Sequence, residues 1–251
     1  MEEECYFMLP YEVIGDEIEL SGADVSEYCE LPADSPLQAS KQKWCEDLNV
    51  PENNDDISVV GMWGDSASFF TRDSIFVLLF NLLSGSLSRR RLFPICAWSK
   101  RMACQCGCGG RCTLDGIWRV VTWFMTAWSA KTYPSVRDDG VRFDMSNRPG
   151  DISRAAWAKR GRRMRVRGAI SQKRGDWQWL KSAFGLCGWR PEGIMGRVCH
   201  KCFANNSTLP FTDPSLDALW RNHVLTHEVY IQHCYAQNMM CRQCSIFLDR
   251  E

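Results

Sequence analysis

Between Ile57 and Lys100 the chain passes through three apolar stretches of strand length, and no other feature restricts its fold as much. These are "ISVVGMWGD", "DSIFVLLFNLL" and "RRRLFPICAWSK". Each is rich in β-branched or aromatic residues, which suit a pleated, half-buried surface. The turn-prone "SGSLS" between the second and third predicts a meander, although the Leu-rich second run also fits a buried helix. The first stretch reads as a buried strand ending in a turn at Gly64 and Asp65. A different periodicity follows in "TLDGIWRVVTWFMTAWSAK", where Leu114, Ile117, Trp118, Val121, Phe124, Met125 and Trp128 recur at steps of three and four. That spacing predicts an amphipathic helix, with Thr113 as its N-cap and Asp115 suited to the dipole of its first turn.

Period two returns in "RRMRVRGAIS", where Met164, Val166 and Ile170 alternate with Arg163, Arg165 and Arg167. This predicts a strand with one solvated face. Asp176 closes it, and "DWQWLKSAFGL" reads as a helix beginning at that residue. Around this core the texture changes. Residues 1–56 carry sixteen Asp and Glu against two Lys, whereas the rest of the chain carries 28 basic residues and 14 acidic ones. The acidic head is expected to be a weakly structured leader, with "YEVIGDEIEL" favouring at most a short strand. It is either a solvated tail or a shield for the basic surface of the same molecule. Residues 57–190 form the expected core, interrupted by an exposed basic link at 133–162. Residues 191–251 form a Cys/His-containing segment with a helix expected over Leu216 to Cys234.

The order strand, strand, strand, helix, strand, helix is that of the RNase H-like fold, an α/β architecture with a mixed sheet and flanking helices. In that fold the first and fourth strands are neighbours, so Asp65 and Asp176 would converge despite their separation in sequence. Two carboxylates held together repel unless divalent cations lie between them, and a pair of Mg²⁺ or Mn²⁺ ions is a recurrent device for in-line attack on a phosphodiester. The simpler alternatives stand beside this one. Gly64-Asp65 is also an ordinary turn dipeptide, and Asp176 is well placed to cap its helix through backbone N–H groups.

Together, "VVGMWGDSASFFTRDSIFVLLFNLLSG" and "RVRGAISQKRGDWQWLKSAFGLCGWRPEG" with its following "CHKC" resemble the catalytic region of DDE transposases of the CACTA and Plavaka kind. The resemblance covers roughly residues 57–235 and is most specific from Asp176 to Cys202. It implies an RNase H-like core, incomplete at its C-terminus, that cuts and joins DNA using Mg²⁺ or Mn²⁺. Asp65 would be the first catalytic acid, Asp176 the second, and Cys199 with Cys202 the first half of a zinc site. The family pattern continues with a D-x-x-H segment and a helix carrying a catalytic Glu. Their absence before Glu251 implies a truncated, inactive relative.

Fourteen cysteines in a chain that starts with the acidic "MEEEC" point to metal binding or free thiols in a reducing compartment, nuclear or cytoplasmic, rather than to exported disulfides. Cys199-x-x-Cys202 and Cys241-x-x-Cys244 could close one tetrahedral Zn²⁺ site, with His223, His227 or Cys234 as substitutes for the second pair. "CQCGCGGRC" offers Cys104, Cys106, Cys108 and Cys112, either as a metal chelate or as the reduced tip of a Gly-rich hairpin. Residues 154–174 hold nine Arg and Lys and no acid. Such a run is by default a solvated face, but it leads directly to Asp176. Arg163, Arg165, Arg167, Lys173 and Arg174 are therefore candidates for phosphate contacts with DNA. The longest apolar run, "SIFVLLFNLL", is too short to span a bilayer, so no membrane partner is expected; a homo-oligomer is left open. The rival function is a non-catalytic, zinc-stabilised nucleic-acid-binding protein.

Overall fold

The computed structural model describes residues 5–51, 55–70, 73–85, 92–106, 110–143, 148, 150–159, 163–176, 179–180, 183, 202–204, 208–210, 212–213, 215–226 and 229. Three helices come first: α1 (Pro10–Ser21), α2 (Ser26–Cys29) and α3 (Leu37–Asp47). Three strands follow, β1 (Ile57–Phe70), β2 (Asp73–Leu82) and β3 (Leu92–Ser99), and then a short 3₁₀ turn over Lys100–Met102. The long helix α4 (Arg111–Ser129), α5 (Asp151–Lys159), β4 (Arg167–Gly175) and the short α6 (Leu219–Asn222) complete the described elements. Two compact units divide the chain: residues 1–102 with 115–174, and residues 103–114 with 175–251.

The first unit is built on a four-stranded sheet of order β3-β2-β1-β4. The three apolar stretches do form an antiparallel meander: Gly61 pairs with Asn81 and Asp65 with Val77, while Val77 pairs in turn with Ala97. β4 lies on the far side of β1. The amide of Arg167 donates to Asp56 O at 2.7 Å, where both strands begin. The two strands therefore run the same way, and the sheet is mixed. Pro94 cannot donate to a ladder, and it sits on edge strand β3 where the register slips between Leu78 and Leu79. The outer side of β3 is partly covered, because Met8 N–H bonds Ile95 O at 2.8 Å.

Helix α4 closes one face of this sheet. Ile117, Val121, Phe124 and Trp128 form its buried stripe, at the spacing expected from the sequence. The Trp128 ring meets Phe80 edge-on at 6.0 Å, and its indole N–H donates to Val166 O at 3.1 Å, so a large buried aromatic keeps its polar group satisfied. A Cβ at Gly168 would lie 2.3 Å from that indole, so glycine is what lets β4 pass beneath the helix. Thr113 lies inside α4 rather than before it, and its hydroxyl accepts from the Cys104 amide at 2.9 Å.

The acidic head differs most from expectation. Instead of a weakly structured leader, and instead of a strand at "YEVIGDEIEL", it holds α1 to α3. Tyr11, Ile14 and Ile18 are spaced three and four apart and all are buried, so one face of α1 packs while its acids point elsewhere. Ser84 ties α2 to the sheet: its hydroxyl donates to Tyr28 O at 2.7 Å and accepts from Val59 N at 2.9 Å. Gly85 adopts φ +82°, and a Cβ there would meet Glu27 O at 1.9 Å. Cys45 of α3 packs against Ile57 and Ala169 on the sheet face opposite α4.

The basic link is not merely an exposed connection either. Within it Phe143 is buried, α5 forms, and Asp151 is 1% exposed. Among the described residues, no helix is long and apolar enough to cross a membrane.

Candidate functional site

The candidate carboxylates occupy different settings. Asp65 lies in the middle of β1, not at its end, because the ladder with β2 continues to Ser68 and Phe70 and the hairpin reverses only after them. By strand alternation it shares the face of Ile57, the one turned towards α3. Asp65 is partly buried, and its Oδ1 accepts the Ser66 amide at 2.7 Å. Asp176 directly follows β4 and is exposed. Its Oδ1 accepts the Trp179 amide at 2.6 Å, and its carbonyl accepts the Leu180 amide at 3.0 Å, which is N-cap geometry. Of the helix expected after it, Trp179, Leu180 and Ala183 are helical among the described residues.

The basic candidates divide into two groups. Arg163, Arg165, Lys173 and Arg174 are exposed. Alternation before β4 is real, since Met164 and Val166 are each only 2% exposed, but the β4 strand itself begins later, at Arg167. Arg167 faces inward instead of toward solvent. Its guanidinium donates to Ser129 O at 3.1 Å and lies 3.8 Å from the Asp56 carboxylate, which is also ion-paired with Lys131. A cation neutralised in this way is poorly placed for a phosphate. The sequence offered no sign of it, because Asp56 lies in a loop 111 positions upstream by number from the arginine it engages.

Of the expected zinc ligands, Cys202 is buried and its backbone bridges to Val224, with Phe203 N–H donating to His223 O at 3.0 Å. Cys199, Cys241 and Cys244 lie outside the described residues, as do His227 and Cys234. The other expected helix, over Leu216 to Cys234, is described only as α6 and the residues around it.

A different group of thiols does come together. The Sγ atoms of Cys104, Cys106 and Cys112 all lie within 4.8 Å of one another, and each residue is partly buried. Soft thiolates in such a set could hold a metal such as zinc. The glycines of "CQCGCGGRC" had marked the loop as able to turn tightly, and Gly110 does adopt φ +87° immediately before α4.

A second thiol contact had no sequence signal: Cys5 and Cys96 share a side-chain hydrogen bond. It holds the Cys5 thiol down to about 7 and, together with desolvation, pushes Cys96 strongly up.

No family model, curated protein or solved structure matches the chain.

Proposed function

We propose that this is a transposase-derived protein with an RNase H-like core, whose ancestral chemistry is metal-dependent cleavage and transfer of DNA strands. The observation that carries the reading is the strand order β3-β2-β1-β4, in which the strand bearing Asp65 adjoins the strand running into Asp176. In this reading the two carboxylates converge on shared divalent cations.

The residues suit hard cations such as Mg²⁺ or Mn²⁺, since both donors are carboxylates with a second oxygen beyond the one engaged by a backbone amide. When bound, a pair of such ions supplies an activated oxygen nucleophile and charge stabilisation on the leaving oxygen. Asp65 and Asp176 hold and orient that charge. Arg163, Arg165, Lys173 and Arg174, exposed before and along the strand that leads to Asp176, steady the phosphate backbone. Arg167 supports the start of the strand through Asp56 and Ser129 instead.

The capping bond at Asp176 favours a second reading, a zinc-stabilised nucleic-acid binder without catalysis, because it gives that carboxylate a structural task. Nicking of supercoiled plasmid in Mn²⁺ separates the two. Any nicking that the wild-type protein retains should fall by about two orders of magnitude or more in Asp65→Asn and in Asp176→Asn, the scale of losing a group that acts on transition-state charge. Asn caps a helix about as well as Asp, so Asp176→Asn should keep its stability, whereas Asp176→Ala should lose about 1 kcal/mol. Wild-type protein that nicks no better than these variants, yet binds DNA with steep salt dependence, would establish the second reading instead.

A further inference from the structure

We propose that Cys104, Cys106 and Cys112 form a structural zinc centre at the N-terminus of α4. The inference stands whether or not Asp65 and Asp176 act on DNA. Its basis is the fit of the thiols to the ion. In a tetrahedral site with Zn–S of about 2.3 Å, neighbouring sulfurs lie about 3.8 Å apart. The Cys106 and Cys112 sulfurs are 3.8 Å apart, and Cys104 joins them within the 4.8 Å limit that encloses all three. A disulfide would need about 2.05 Å, so the two thiols are not covalently joined, and their spacing is compatible with two ligands of one ion.

The backbone holds this arrangement in place from both sides. On one side, the Cys104 amide is anchored to the Thr113 hydroxyl at 2.9 Å. On the other, Gly110 turns the chain at φ +87° and its carbonyl accepts the Leu114 amide at 3.1 Å, opening α4. Cys112 thus falls in the first turn of a 19-residue helix. A set of soft sulfur donors selects zinc or copper(I) over hard cations, and zinc is the ion proposed for it.

The need for such a centre is physical. Residues 103–114 belong to the same compact unit as residues 175–251, and that unit carries ten of the fourteen cysteines. All three thiols lie within residues 103–114, so an ion held by them would tie that short segment to the first turn of α4. The fourth ligand would come from another thiol of that unit or from water.

Two measurements on the full chain test the proposal. First, zinc content by elemental mass spectrometry should fall by about one ion per chain in a Cys106→Ser/Cys112→Ser double variant. An unchanged zinc content would overturn the centre. Second, the unmodified chain is alkylated before and after treatment with a zinc chelator and mapped by peptide mass spectrometry, a readout that does not depend on the variant folding. Labelling at Cys104, Cys106 and Cys112 should appear only after chelation. Equal labelling at these three positions before and after it would also overturn the centre.

Discussion

Cys5 has the thiol whose chemistry the fold alters most usefully. Its hydrogen bond with Cys96 holds it near 7 from an ordinary value of 9.0, while Cys96 is pushed up by the same bond and by desolvation. Burial also raises Cys29, to about 12. Alkylation followed by mass spectrometry should therefore reach half its maximal rate at Cys5 near pH 7, with Cys29 and Cys96 inert at neutral pH. Cys96→Ala should return Cys5 towards 9.0. The sign for stability follows from linkage: a thiol depressed in the folded state stabilises it above 9.0, and that contribution is lost as pH falls through 7. Above 9.0 the two raised thiols act the other way, since unfolding would let them ionise. None of this is legible in sequence, where Cys5 and Cys96 share no motif. Asp176 is the opposite case: both its place after a strand and its capping role are local, and both could be read from neighbouring residues. Asp65 lies between. Its strand was legible, but the Gly64-Asp65 turn signal is local, and the long ladder from β1 to β2 overrides it.

At the level of elements, α1 shows why charge alone misleads. Four of the ten residues of "YEVIGDEIEL" are acidic, yet Tyr11, Ile14 and Ile18 already had helical spacing, and Pro10 occupies a first-turn position where a missing N–H costs nothing. What the sequence did not reveal is the partner. Glu12 receives a two-pronged hydrogen bond from Arg154 of α5, at 2.7 and 2.9 Å, and Arg154 also lies 3.9 Å from buried Asp151. Paired fork geometry between two partly buried groups is the favourable kind of ion pair. Arg154→Ala leaves Glu12 and Asp151 without this counter-charge. It should lower stability by about 1–3 kcal/mol, read as a lower urea midpoint with an unchanged slope. No change in midpoint would mean that α1 is held by its apolar face alone. The β1–β3 meander and α4 were legible because each is specified by its own periodicity. The extent of α5 and the start of β4 were not, since both depend on partners distant in the chain.

Across the first unit, the segregation of acidic head from basic body becomes a set of internal contacts. Glu12 meets Arg154, and Asp56 meets both Lys131 and Arg167, so opposite charges separated in sequence neutralise one another in the fold. Shielding of the basic surface within the molecule was one of two readings of that split, and these pairs support it at the residues concerned. Arg163, Arg165, Lys173 and Arg174 are exposed in the same unit. The account of function depends on whether the aspartate of β1 and the aspartate after β4 act as one site, and binding of Mn²⁺ followed by electron paramagnetic resonance tests this without requiring any turnover. If the carboxylates share ions, Asp65→Asn and Asp176→Asn should each weaken Mn²⁺ binding as much as the double variant does, because either loss dismantles the same site. Mn²⁺ binding that survives both single substitutions, or losses that simply add, would contradict it.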